Sequence, residues 1–187
     1  MIVRKKGMIS VRTERVGIPS SLFPMFDGED ESDEEETAEW EEEDGPADPG
    51  DVEKVEMLME GQLVITSSRA ELIWEESELS GMEGATTKLG FSADLPGLVS
   101  MLRDGTVSTA LVFEERRRHI CLYNTPFSSF EVCVQALHVD NTLTLDGHLF
   151  LDYLIEIRGS RTERCKMWVG FREDTTDRFP PAEAQPN

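Results

Sequence analysis

Two glutamates and one arginine are the residues of this chain whose types and spacing best suit chemistry. Glu76 and Glu78 are two residues apart, so both carboxylates share one face if the segment is a strand. Paired carboxylates can divide acid and base roles when burial separates their pKa values. Arg103 can instead pair with one of them as a planar, bidentate clamp. Structural salt bridges, a ligand clamp and acid–base catalysis are the three interpretations, and salt bridges are the simplest.

Other common signatures of catalysis are missing from the sequence. It contains no HExxH, no GxSxG and no metal-spaced Cys/His cluster, and its three histidines are scattered (His119, His138, His148). Residues 81–84, Gly-Met-Glu-Gly, lack the GK[ST] ending of a phosphate loop. We therefore predict no catalytic residues, no metal and no cofactor, and rank an enzyme as the least favoured class.

The elements that must position these residues are strands. Apolar residues recur at every second position in several segments, for example Val55, Met57, Met59, Leu63 and Ile65. Strands are predicted over 2–15, 52–66, 70–76, 85–92, 97–103, 106–114, 118–124, 127–145, 148–158 and 161–172. Asp104-Gly105, Asp146-Gly147 and Gly159-Ser160 are typical of two-residue hairpins, and 94–97 also has turn composition.

The segment 127–145 changes its apolar parity partway. Phe130, Val132 and Val134 share one parity, whereas Val139 and Leu143 share the other. A β-bulge near 136–141 explains the change and lets a long strand bend around a barrel. Many antiparallel strands joined by short turns predict an all-β sandwich or barrel.

The charge is concentrated in one segment. Of the 38 acids, 15 lie in residues 27–51, which contain no base, and the formal net charge of the chain is −20. Like charges at this density favour a disordered, solubilising loop, although a basic protein partner is an alternative. Nucleic acid and anionic membrane surfaces are disfavoured as partners, because they repel an anionic protein. The tail 173–187 is polar and proline-rich, and we expect disorder there too.

The cysteines and the search of the sequence for targeting segments predict the cellular compartment. The three cysteines, Cys121, Cys133 and Cys165, are far apart and lie in apolar or alternating runs, where cysteine is usually a small buried hydrophobe. No signal peptide or apolar span of 18 residues is visible. A reducing cytoplasm is the expected location.

Four stretches in order resemble a known family. They are WEESELSGMEGATTKLGF (74–91), MLRDG (101–105), LVFEERRRHICLYNTP (111–126) and GHLFLDYLIEI (147–157). Together they resemble the YwiB-like family of small bacterial β-barrels, a domain of unknown function with a lipocalin-like, or calycin, barrel. The resemblance covers about 52–172, and residues 2–15 are similar to the family's first strand. It implies a single up-and-down, lipocalin-like barrel of 8–10 strands over 1–172, with the acidic segment (about 20–51) as a loop between strands one and two.

The resemblance also selects individual residues. The positions that match the family are Glu76, Glu78, Gly81, Thr87, Arg103, Gly105, Phe113, Tyr123, Thr125, Pro126 and Tyr153. Two departures concern loops, because the family tends to have glycine where this chain has Glu115-Arg116-Arg117 and Ser128. The family implies no activity. Seven of the matching residues are taken as candidate ligand-binding residues: Glu76, Glu78, Thr87, Arg103, Tyr123, Thr125 and Tyr153.

Two function classes stand ahead of an enzyme. Barrels of this size can enclose one ligand, so a non-catalytic binder of a small apolar or amphipathic molecule is the first. It predicts an internal cavity of a few hundred cubic ångströms. A soft lining for that cavity, or simply the core, is formed by Met57, Met59, Met101, Met167, Trp74 and Trp168. The second class is a protein-interaction module that uses the acidic loop or the barrel surface.

Overall fold

A computed structural model describes residues 2–18, 52–92, 94–157 and 162–174. Within these ranges the chain forms ten strands and one 3-10 turn, Glu78–Ser80. The strands are β1 (Val3–Ile18), β2 (Val52–Ile65), β3 (Arg69–Glu75), β4 (Thr86–Ser92), β5 (Leu95–Asp104), β6 (Ser108–Glu114), β7 (Arg118–Asn124), β8 (Ser129–Asn141), β9 (His148–Ile157) and β10 (Thr162–Glu173). The expectations for the acidic loop and for nearly all of the tail concern residues outside these ranges.

The strands close into one antiparallel barrel. Each strand pairs with its neighbours in the sequence, and β1 closes the ring by pairing with both β2 and β10. The all-β, up-and-down, lipocalin-like barrel is therefore confirmed, with ten strands. The first predicted strand, 2–15, corresponds to β1.

The predicted bulge in β8 is confirmed. The register between β8 and β9 shifts between Ala136 and His138. Glu115 fastens the bulge, because its Oε1 accepts a hydrogen bond from the Val139 N–H and lies 2.9 Å from His138 Nδ1. The Val139 N–H bond is the main cause that lowers the pKa of the Glu115 carboxyl.

Side chains fill the centre of the barrel. Seven interior side chains have no accessible surface: Ile9, Leu72, Leu89, Val99, Phe113, Val134 and Leu151. A side chain with no accessible surface has no water-sized void beside it, so this part of the interior is close-packed. The Phe113 and Tyr153 rings also meet edge to face, with their centroids 4.8 Å apart. The expectation of a ligand cavity in the middle of the barrel is therefore wrong.

Two facing glycines let the backbones of β1 and β2 lie close to neighbouring backbone and side-chain atoms. Gly7 and Gly61 are register partners. A Cβ on Gly7 would collide with the backbone carbonyl of Arg172, and one on Gly61 would collide with the Ile9 side chain and the Ile73 carbonyl. The sequence patterns did not single out either glycine.

The predicted two-residue hairpins are wrong. Three residues, Gly105 to Val107, separate β5 from β6, and six separate β8 from β9. A type I′ turn needs positive φ at both central residues, whereas only the glycines, Gly105 (141°) and Gly147 (82°), have it. The predicted turn at 94–97 is mostly the start of β5, and Gly159-Ser160 lies outside the described residues.

Candidate functional site

The seven candidate residues gather at one end of the barrel. Because neighbouring strands are antiparallel, β1, β3, β5, β7 and β9 all finish at the same end, where β2, β4, β6, β8 and β10 begin. We call this end the polar end. Six candidates lie at strand ends of the polar end or in its turns: Glu76, Glu78, Thr87, Arg103, Tyr123 and Thr125. The seventh, Tyr153, is on β9 and lies further from this end.

A buried ion pair forms the centre of the polar end. Thr87 on β4 is the register partner of both Trp74 on β3 and Arg103 on β5. Its hydroxyl donates to Glu76 Oε1 at 2.5 Å and accepts from Arg103 Nε at 3.2 Å. Arg103 Nε lies 3.5 Å from Glu76 Oε1, and the two side chains are 12% and 2% exposed. Strand pairing thus joins three predicted residues into one network.

Two buried polar atoms in or beside this network have no hydrogen-bond partner among the described residues. Glu76 Oε2 and the indole nitrogen of Trp74, Nε1, are both buried and unpaired within the described part of the chain. Trp74 precedes Glu76 by two residues, and both side chains are buried. Arg103 is the partner of both Thr87 and Glu76 through its Nε. Buried polar groups are nearly always satisfied, so these exceptions need a physical explanation.

Tyr153 and Cys165 form a neutral pair further into the barrel. The two residues are register partners, and both side chains are buried. Burial raises the pKa of the Tyr153 hydroxyl and raises the pKa of the Cys165 thiol to about 11. The positive charges of Arg15 and Arg103 oppose this rise in the pKa of Tyr153. At neutral pH the pair holds its protons, so Cys165 is not an activated nucleophile.

The connection between β3 and β4 lies across this side of the polar end. The hydroxyl of Tyr123 contacts Met82 Sδ at 3.8 Å, and Thr106 Oγ1 donates to the Glu83 carbonyl at 2.8 Å. Tyr123 also stacks on Phe130 with ring centroids 5.3 Å apart. We call residues 77–84 the cover, because they follow β3 and contact β7 through Met82.

Two candidates have other positions than expected. Glu78 does not share a strand face with Glu76, because β3 ends at Glu75 and Glu78 begins the exposed 3-10 turn. Thr125 follows β7, and its hydroxyl donates to the Ser128 carbonyl and accepts from the Phe127 and Ser128 N–H groups. Thr125 therefore shapes a turn, as its proline neighbour suggested.

The proposed methionine and tryptophan lining is divided between the core and the surface. Trp74, Met101 and Met167 are buried in the core, and Met57 and Met59 pack against it. Trp168 faces outward, where the guanidinium of Arg12 stacks 4.3 Å from its ring. Trp168 borders an open surface groove of about 540 Å³.

The described residues contain neither a metal-binding cluster nor a membrane-spanning helix. In these ranges no group of three or more His, Cys, Asp or Glu side chains is arranged to hold a metal ion. No helix there is long and apolar enough to span a bilayer.

Comparison with known proteins gives the family. A family model described as Domain of unknown function (DUF1934) matches residues 44–169, more than half of the chain. The chain belongs to this family. The DUF1934 description names no activity, and no curated protein matches the chain.

A solved structure supports the same fold. The chain is similar to the crystal structure of ywiB protein from Bacillus subtilis, with a TM-score of 0.56 and 13% sequence identity. The similarity covers 89% of this chain and 93% of that one. At this identity it shows the DUF1934 barrel fold, and the YwiB-like resemblance seen in the sequence is confirmed.

Sequence patterns missed some parts of the polar end of this DUF1934 barrel. Trp74 was assigned to a pocket or the core, and patterns did not show that its indole nitrogen, like Glu76 Oε2, is buried without a partner among the described residues. The signal was available, because Trp74 and Glu76 have the same strand parity. Arg15 and Cys165 had no such signal, since only the pairing of β1 with β10 places them side by side.

Proposed function

We propose that this chain is a non-catalytic barrel that binds a small amphipathic molecule at its polar end. The observation that carries the proposal is the pair of buried polar atoms, Glu76 Oε2 and Trp74 Nε1, that have no hydrogen-bond partner among the described residues. Each unpaired buried polar group costs about 1–3 kcal/mol, so a ligand that pairs with them recovers free energy that the closed barrel lacks.

The polar end is favoured over the middle of the barrel because the middle is filled. The interior side chains there have no accessible surface, whereas the residues around the polar end are partly open. Four partly buried apolar side chains lie at this end of their strands: Tyr123, Phe130, Ile155 and Ile157. A molecule with one polar group and a short apolar body matches a charged pair beside an apolar rim.

The indole N–H of Trp74 provides a direct test. It gives one resolved signal in a ¹⁵N-NMR spectrum, and a Trp74→Phe variant assigns it. We expect some members of a library of small amphipathic fragments to shift this signal while leaving the indole signal of Trp168 unchanged. If no fragment shifts the Trp74 signal, and native mass spectrometry finds no retained molecule, the proposal is wrong.

A basic protein partner for residues 27–51 is a separate proposal. It is supported by the 15 acids and absence of bases in that segment. The strands that flank the segment, β1 and β2, end and begin at the polar end. Deletion of 27–51 is expected to abolish a salt-sensitive partner in co-purification, and unchanged co-purification would contradict this proposal.

A further inference from the structure

The two buried charges described at the centre of the polar end balance each other. Glu76 and Arg103 offset each other at 3.5 Å, and Arg15 lies 4.0 Å from Glu53 on the neighbouring strand. A ligand that carries a full charge would have to leave water for a site with no net counter-charge. That transfer is costly, whereas a neutral polar group pays much less when its hydrogen bonds are made. Charge balance therefore selects against simple anions and simple cations.

The unpaired atoms are of both hydrogen-bonding types. Trp74 Nε1 is a donor, and Glu76 Oε2 is an acceptor. One group satisfies both types only if it accepts and donates at adjacent atoms. A carboxamide does so, because its carbonyl accepts while its N–H donates.

We infer that the polar end recognises neutral molecules that present a carbonyl next to an N–H, such as a carboxamide or lactam, on a small apolar body. The inference rests on the proposed function, since it names the ligand class of the same site. The carbonyl oxygen faces Arg103 and Trp74, and the N–H faces Glu76. The apolar body contacts the rim that includes Tyr123 and Phe130.

The unpaired atoms are enclosed. Glu76 Oε2 and Trp74 Nε1 have almost no accessible surface, so a ligand reaches them only when the groups around them move. The neighbouring cover contains Gly81 and Gly84, whose positive φ values of 68° and 84° glycine adopts without steric cost. One of its contacts is the weak pairing of Tyr123 with the Met82 thioether.

Three probes of similar shape test the ligand class. Benzamide, benzoate and benzylammonium share one ring and differ in charge at pH 7. We expect the wild-type chain to bind benzamide at least about tenfold more tightly than either ion, as measured by titration of the Trp74 indole signal. A wild-type chain that binds benzoate or benzylammonium as tightly as benzamide overturns the inference.

Two substitutions change the charge of the site in opposite directions. Glu76→Gln leaves Arg103 as a net cation, so the preference should move toward benzoate. Arg103→Gln leaves Glu76 as a net anion, so the preference should move toward benzylammonium. For each variant, the affinity for the favoured ion divided by the affinity for benzamide is expected to rise by at least about tenfold over the wild-type value. Glu71→Gln and Arg118→Gln, both at exposed positions on the outer wall, are matched controls that should keep the wild-type ranking.

Failure of the inference can be told from failure of the proposed function. If fragments shift the Trp74 signal but benzamide has no advantage over the ions, the site binds ligands of another class. If no fragment and no probe shifts the signal, both are wrong. The wild-type ranking needs no variant, so it decides the inference even if Glu76→Gln does not fold.

Discussion

Arg103 Nε lies 3.5 Å from Glu76 Oε1, although the two residues are 27 positions apart and belong to different parts of the wall. Thr87 lies between them and bonds to both. The contact depends on the pairing of β4 with β5 and on the Glu76 N–H, which donates to the Ala85 carbonyl just beyond β3. A charged pair is thereby held at an end of the barrel, next to polar atoms with no partner.

Glu76→Gln is expected to destabilise the chain by about 3 kcal/mol, because it leaves the charge of Arg103 buried without its counter-ion. Urea unfolding measures the change. Glu78→Gln, two residues away on the exposed turn, is the matched control and should stay within about 0.5 kcal/mol of wild type. Equal effects of the two substitutions would contradict the assignment of Glu76 to a buried pair.

The Asp152–Arg164 pair should make stability depend on pH. Arg164 donates from Nε and Nη2 to the two carboxylate oxygens at 2.9 and 2.6 Å, and this pairing lowers the pKa of Asp152. A lowered pKa stabilises the fold above the ordinary carboxyl value, and that stability is lost as pH falls through the folded-state value. Asp152→Asn should cost about 1–2 kcal/mol at neutral pH.

The pH profile separates this effect from a packing effect. The difference between wild type and Asp152→Asn should narrow once the pH falls below the ordinary carboxyl value of 3.8 and approach zero when Asp152 is protonated. The exposed neighbour Asp140 provides the control variant, Asp140→Asn. A difference that stays constant down to strongly acidic pH would show that the ion pair is not its cause.

Arg116→Gly should stabilise the chain. Arg116 has φ of 63°, and it lies in the turn where the YwiB-like family tends to have glycine. A non-glycine residue pays about 1–2 kcal/mol there, which exceeds the extra unfolded-state entropy of glycine of about 0.5–1 kcal/mol. A net gain of about 0.5 kcal/mol is expected in chemical unfolding. Arg117→Gly, at a position without positive φ, should instead lower stability.

Gly7→Ala should destabilise the barrel by about 2–3 kcal/mol, because its Cβ would overlap the Arg172 carbonyl in the neighbouring strand. The backbone there is held by pairing on both sides and cannot move cheaply. Gly17→Ala in the same strand is the control, since a Cβ on Gly17 meets nothing within 4 Å. Thermal unfolding followed by circular dichroism compares the two, and equal melting temperatures would contradict the close approach.

Deletion of residues 1–15 should lower the melting temperature by at least about 10 °C or prevent folding. β1 pairs with β2 and β10 along nearly its whole length, so its removal opens the ring and leaves two unpaired edges. Deletion of 175–187, which the sequence predicts to be a tail, is a comparison of similar size. An unchanged melting temperature after the first deletion would show that β1 is dispensable.

The local pattern of this chain was readable from its sequence. Alternating apolar residues determined nearly every strand, and the change of parity in β8 located the bulge between Ala136 and His138. These features are local, because a side chain's face follows from its position within one strand. The same parity would have placed Trp168 outside the barrel, since its neighbours Met167 and Val169 face inward.

The arrangement of the candidate site was decided by the tertiary structure. Periodicity does not say which residues of different strands meet, because that depends on register and on closure of the ring. Register brought Thr87 and Arg103 to Glu76, whereas the early end of β3 moved Glu78 onto an exposed turn. Closure filled the middle of the barrel with side chains, so the unpaired polar atoms are left at one end, where the strand ladders stop.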